Sequence, residues 1–161
     1  MADEEYDDIV RTAAAAAAAT GPLAMSPIPA TDTLAMAGIW TAMMTAIAQR
    51  TGHGFDTETA KKVAVGVSGA AGGYWVGCKW FTWLLAKIPG VGMVTGSGIN
   101  STLNVGFTLW LAYSFIDLFE EDDIDLTDWE FLITQLKGAM KPSMSSGKIG
   151  RIREFFGRFT Q

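Results

Sequence analysis

Apolar residues recur at helical spacing along most of the chain, and short runs of glycine, proline and polar residues divide them into six predicted helices. The first, Asp3 to Thr20, opens with acids suited to the positive N-terminal end of a helix. It continues through Ala13 to Ala19 and stops at Thr20-Gly21-Pro22. An alanine run buries little apolar area, so this arm is expected to pack against small residues elsewhere rather than fray. After Ser26-Pro27-Ile28-Pro29, a second helix is predicted from about Thr31 to Arg50, with Leu34, Ile39, Met43 and Ile47 at helical spacing and Asp32 in its first turn. Thr51-Gly52-His53-Gly54 closes it, and Asp56 caps a third helix running from about Thr57 to Lys87. Ile88-Pro89-Gly90 interrupts that helix. After Gly92 to Gly98 a fourth runs to about Phe119, carrying Phe107, Leu109, Trp110, Leu111, Tyr113 and Phe115.

Thr127-Asp128-Trp129-Glu130 has the form of a capping box, in which threonine bonds the third amide and glutamate reaches back. It predicts a fifth helix ending near Met140. Lys141 to Gly147 reads as linker, and a last helix spans about Lys148 to Phe159. The organisation expected is an N-terminal alanine-rich arm (1–21), a helical core (22–140), a linker (141–147) and a basic amphipathic tail (148–161). An internal repeat at an offset of 60 places Ile28-Pro29 on Ile88-Pro89 and Ile39, Met43 and Ile47 on Ile99, Leu103 and Phe107, as two related helical hairpins would. The fold class expected is therefore all-α.

From Val63 to Ile116 only Lys79 and Lys87 are charged, and glycines recur at Gly69, Gly73 and Gly77. Four-residue glycine spacing in an apolar helix lets two backbones approach closely, as packing inside membranes requires. Gly69, Gly73 and Gly77 are thus the expected helix-packing face. Val63 to Ala86 would extend about 36 Å as a helix, longer than the roughly 30 Å hydrocarbon core. Against a span, Lys79 would cost about 2.5 to 3.5 kcal/mol near the bilayer centre, and Asn100 and Asn104 interrupt the fourth helix. A buried hairpin in a soluble helical protein reads the same way, and Trp75, Trp80 and Trp83 serve equally as an interfacial belt or as core anchors.

Composition favours the membrane reading: hydrophobic residues make up 49% and charged residues 18% of the chain, against about 25% charged in ordinary domains. The net charge of -5 hides an asymmetry, since Asp117 to Glu130 holds eight acids and no base, whereas Lys137 to Gln161 holds six bases and only Glu154. In the tail, Ile149, Ile152, Phe155, Phe156 and Phe159 fall on one helical face, while Lys148, Arg151, Arg153 and Arg158 supply positive charge. That pattern fits a membrane or inter-subunit anchor, and it fits equally an amphipathic helix docked on its own domain. The five acids of Met1 to Asp8 argue against a cleaved export signal.

Catalytic motifs are not found. Gly90 to Gly98 lacks the Gly-Lys-Ser/Thr ending of a phosphate loop, and Asp123, Asp125 and Asp128 lack the glycine and glutamate of a calcium loop. One cysteine, Cys78, and one histidine, His53, exclude an internal disulfide and a Cys/His metal site within the chain. No cofactor, metal or nucleic-acid partner is expected, and the protein is expected not to be an enzyme. Asn100, Ser101, Asn104 and Asp117 would line the path if the chain formed a pore.

Ser26-Pro27-Ile28-Pro29 with Asp32, the Ala/Met/Ile helix, the Thr-Gly turn, the Gly/Ala-rich helix and Leu84-Leu85-Ala86-Lys87-Ile88-Pro89-Gly90-Val91-Gly92 together resemble the YcjF-like family over about Pro22 to Glu121. The resemblance implies a bacterial, membrane-associated domain of unknown function, sometimes linked to Era-like or Ras-like GTPases. This chain lacks the GTPase, so a small GTPase would be a partner in trans. The expected function is a non-enzymatic, homo-oligomeric scaffold or assembly module at the cytoplasmic membrane. The alternatives are a channel-like pore, and a soluble cytoplasmic self-assembling protein or regulator of a small GTPase.

Overall fold

The computed structural model describes residues 2–20, 31–68, 97–120, 124–139 and 146–159. Six helices and no strand occur among them: α1 (Ala2–Ala19), α2 (Thr31–Arg50), α3 (Thr57–Ser68), α4 (Ser97–Phe119), α5 (Trp129–Ala139) and α6 (Ser146–Phe159). The all-α expectation is met.

Local chemistry accounts for most of the boundaries. At the end of α2, Gly52 adopts a φ of 75°, a left-handed conformation that favours glycine. This turns the chain so that His53 N–H donates to Ala48 O at 3.0 Å and Gly52 N–H to Gln49 O at 3.2 Å, the paired bonds of a Schellman ending. Asp56 Oδ1 then accepts from Thr59 N–H at 2.9 Å and caps α3 as expected. The predicted box at α5 is displaced by one residue. Asp128 Oδ1 takes the cap by accepting from Phe131 N–H at 3.0 Å, because the Thr127 hydroxyl donates instead to Asp125 Oδ1 at 2.6 Å.

α4 is the central element. It packs against α1, α2, α5 and α6, while α3 packs on α2 and α5. From Asn104 to Ile116 every side chain of α4 is buried, which explains why its sequence is apolar all round instead of striped. The alanine run of α1 is packed, with Ala13, Ala14 and Ala17 buried in the core cluster, where α1 meets α4 and α2. One continuous cluster of buried side chains includes Tyr6 of the arm, Trp40 and Leu109 of the core, and Ile152 and Phe155 of the tail. Trp40 anchors it, stacked 4.9 Å from Phe107 and donating its indole N–H to Thr108 Oγ1 at 2.9 Å. At the closed end of the α2–α3 hairpin, Phe55, Phe115 and Phe119 pack at ring separations of 4.4 to 6.2 Å. Full burial of such a side chain contributes about 1.5–3 kcal/mol.

The helical counterpart predicted by the 60-residue offset is only partly matched. α2 ends at Arg50, whose offset position is Trp110, yet α4 continues to Phe119. The predicted extension of the third helix to Lys87, the glycine-rich passage to Gly96, Cys78, Lys79, the three tryptophans beside them and both Ile-Pro pairs lie outside the described residues.

Candidate functional site

Two surfaces concentrate the chemistry this fold presents. The first is the seam between α4 and α6. Lys148 and Arg151 lie one turn apart on α6, so both reach the same residue of the neighbouring α4. Asp117 meets them: its Oδ2 is 3.1 Å from Lys148 Nζ, and its Oδ1 accepts from Arg151 Nη1 at 2.7 Å. Lys148 Nζ also donates to Ser114 Oγ at 3.3 Å and faces the Trp110 ring at 6.0 Å, and the Arg151 guanidinium lies 5.6 Å from the Tyr113 ring. The Lys148 side chain is only 12% exposed, so its charge depends on these partners for the solvation that water no longer supplies.

The remaining tail residues follow the helical period. Ile152, Phe155 and Phe156 are buried against the body and Ile149 is packed partly beneath them, whereas Arg153 and Arg158 are exposed. Arg158 pairs with Glu154 one turn back, and that carboxylate holds the guanidinium pKa above its ordinary value. The side chain of Phe159 lies outside the described residues. Of the two tail readings, this structure displays the docked one: α6 seats its apolar face on its own chain.

The second surface is the outward side of α2. From Leu34 to Ala48 this helix carries no charge. Its inward residues Met36, Trp40, Met44 and Ile47 are fully buried, but Leu34 is 71% exposed, and Gly38 and Ala42 also face out. A groove of about 640 Å³ runs between α2 and α3, bordered by Leu34, Gly38, Thr45, Lys61 and Val65. Another of about 360 Å³ lies between α1 and α2, bordered by Ile9, Thr12, Ile39 and Met43. The ridge Ala42–Ala46 separates them and lines both.

Two residues of the expected polar path, Asn104 and Asp117, are engaged within the fold. Asn104 is buried and its Nδ2 donates to Thr20 Oγ1 at 2.9 Å, closing the end of α1 against α4. Asp117 lies 13 residues further along α4, about 20 Å away, where Lys148 and Arg151 engage it. Ser101 is half-buried, and the side chain of Asn100 lies outside the described residues. The reason is physical: a polar group inside an apolar helix is satisfied by a neighbour's hydroxyl or charge, as Asn104 and Asp117 are here.

Gly69, Gly73 and Gly77 lie outside the described residues. The close approach that a glycine permits is seen instead at Gly66 on α3, where a Cβ would stand 2.1 Å from Ile133 Cδ1 of α5. His53 is half-buried, with Nδ1 2.8 Å from Thr51 Oγ1 and its ring edge-on to Phe119. No group of three potential metal-ligating His, Cys, Asp or Glu side chains occurs among the described residues. Sequence reasoning missed the Asp117 clamp and the fork of Arg50 onto Asp8, which ties α1 to the end of α2 with Nη2–Oδ2 at 2.9 Å. The opposed charge of the acidic stretch and the basic tail was the available signal for the first, and nothing local announced the second.

Together these features define, among the described residues, an all-helical bundle with a clamped basic helix and an uncharged open face on α2. No protein-family model matches the chain, and no curated protein or solved structure matches it either.

Proposed function

We propose that this chain is a non-enzymatic, self-associating helical module that assembles at a membrane, with a second copy seated on the outward face of α2. The observation carrying this reading is that α2 is uncharged from Leu34 to Ala48 on both its sides, although only one side is covered among the described residues. A helix apolar all round belongs in a core or in a membrane. Small side chains at Gly38, Ala42 and Ala46 allow another helix to approach closely, and the flanking grooves accept its larger side chains. The face is also self-complementary. Lys61 stands across the groove from this uncharged face, and an antiparallel α2–α2 pair sets opposite helix dipoles side by side. The charge-poor stretch Val63 to Ile116 and its glycine spacing support the membrane setting.

Ala42→Arg tests the reading, because it adds bulk and charge to an exposed ridge without touching the core. Light scattering with and without detergent is expected to give an oligomer for the wild type and a monomer for the variant. An unchanged mass for Ala42→Arg, or a monomeric wild type in both media, refutes it.

A soluble oligomer is the second reading, favoured by one observation. The one helix among the described residues that is long and apolar enough to span a bilayer, Ser101–Phe119, is 78% buried inside the bundle. Carbonate extraction separates the two: release without detergent favours the soluble assembly, and retention with lipid favours the membrane module.

A further inference from the structure

The geometry points to α6 as a docking element for an anionic bilayer, stored on its own chain through Asp117 and released in exchange for lipid headgroups. This inference rests on the membrane setting proposed above and adds the surface that meets the lipid.

Four features carry it. First, α6 combines Lys148, Arg151, Arg153 and Arg158 with a face of Ile152, Phe155 and Phe156 and only one acid, Glu154. The chain as a whole carries a net charge of -5. An acidic body is repelled by an anionic surface, so the element of opposite sign is the one that can land there. Second, α6 is a weak helix in isolation. Gly147, Gly150 and Gly157 all face outward, and a Cβ at Gly150 or Gly157 would meet nothing within 4 Å. Packing therefore does not demand glycine there, yet each interior glycine disfavours the helix about fivefold relative to alanine. Helicity in α6 depends on covering its apolar face, which α4 does here and an acyl boundary would do equally.

Third, the ion pairs of the clamp meet in one residue. Asp117 serves both Lys148 and Arg151, so a competing anion for each cation replaces both ion pairs of the seam. Phosphate and carboxylate headgroups offer the same charge-assisted bonds, and arginine accepts them in a bidentate manner. Fourth, Arg153 stays exposed while α6 is docked, which leaves a cation to make the first encounter before release.

Flotation of the full chain with phosphatidylcholine vesicles, and with vesicles that also contain phosphatidylserine, tests the exchange. The wild type is expected to bind only the anionic vesicles. Asp117→Asn is expected to bind them about 5- to 30-fold more tightly, because apparent affinity scales with the fraction of α6 already undocked. Arg153→Gln touches no part of the seam and is expected to bind about fivefold more weakly. Far-UV circular dichroism establishes that each variant is folded, and if Asp117→Asn is not, Arg153→Gln decides alone. Folded Asp117→Asn with unchanged or weaker binding, Arg153→Gln with unchanged binding, or equal binding of the wild type to both vesicles overturns the inference. If vesicles capture the wild type and neither variant moves the affinity, α6 is a structural helix and the membrane module stands. If no vesicle captures the wild type or Asp117→Asn, both readings fall.

Discussion

Replacing Gly66 with alanine probes a close approach between α3 and α5. A Cβ at this position would lie 2.1 Å from Ile133 Cδ1, 3.0 Å from Cγ1 and 3.8 Å from Cγ2. Carbon atoms in ordinary contact stand about 3.5–4.0 Å apart, so Cδ1 must move by about 1.5 Å, which means a different side-chain rotamer. Cγ1 lies nearer the branch point and must give by a few tenths of an ångström, through rotation about χ1 or a slight shift of the helices. Ile133 is buried, 9% exposed, and overpacking of this kind costs about 1–3 kcal/mol. Alanine, however, is favoured over glycine in a helix by about 1 kcal/mol. The net effect is a loss of about 0–2 kcal/mol, too small to identify the cause alone. The diagnostic is the coupling between sites. Ile133→Val deletes Cδ1 and by itself costs about 0.5–1.5 kcal/mol. In that background Gly66→Ala should turn from destabilising or neutral to stabilising, a favourable interaction of about 1–2 kcal/mol in the double-mutant cycle. Equilibrium urea unfolding of the four proteins, followed by far-UV circular dichroism, reads it directly. If Gly66→Ala stabilises by the same amount in both backgrounds, the two helices are not in contact here and the argument fails.

Two further outcomes follow from the same packing. Thr108→Val keeps the shape of the side chain but leaves the buried Trp40 indole N–H without its hydroxyl acceptor, so unfolding free energy should fall by about 1–3 kcal/mol; an unchanged denaturation midpoint would show that the bond contributes nothing. Acid should weaken the fold in a defined direction. The Arg50 guanidinium holds the Asp8 carboxyl below its usual range, and the Thr59 hydroxyl and backbone amide do the same for Asp56. Both carboxyls are therefore more acidic folded than unfolded, where aspartate titrates near about 3.9. Their contribution is complete above that value and disappears as pH falls through the lower folded values. Thermal melts across this window should drop, and Asp8→Asn should show a shallower drop than the wild type.

Where a structural feature depends on neighbours in sequence, the chain displays it openly. The Thr51-Gly52 stop and the Asp56 cap are recoverable because the groups that bond lie within five residues of one another. Even there, adjacent candidates compete: Thr127 and Asp128 both suit a cap, and the outcome turned on Asp125 drawing the threonine hydroxyl away. The face of α6 is legible from its spacing, but its partner is not, since Asp117 precedes Lys148 by 31 positions and no periodicity links them. Trp40 and Thr108 are separated by 68 residues and Asn104 and Thr20 by 84. From sequence a polar residue in an apolar helix reads as part of a path, and only the fold places Asn104 in a buried bond with Thr20.

Composition treats α2 and α4 alike, yet their surroundings give them opposite roles. If α4 were to leave the bundle and cross a bilayer, Asn104 would lose Thr20 of the α1 end, Thr108 would lose Trp40 of α2, and Ser114 and Asp117 would lose Lys148 of α6. Asn104 would then give up its buried partner and Asp117 its two cations, a cost of several kcal/mol apiece, while the Thr108 and Ser114 hydroxyls would turn to carbonyls of their own helix. The outward face of α2 has no such dependence, because Leu34, Gly38 and Ala42 already stand uncovered and carry no charge. Transfer of that face to lipid or to a second copy removes apolar area from water and breaks no bond made within the fold. The bundle can therefore meet an apolar partner intact through α2, whereas the helix that best satisfies the length and hydropathy criteria for a span is the one whose extraction would dismantle it.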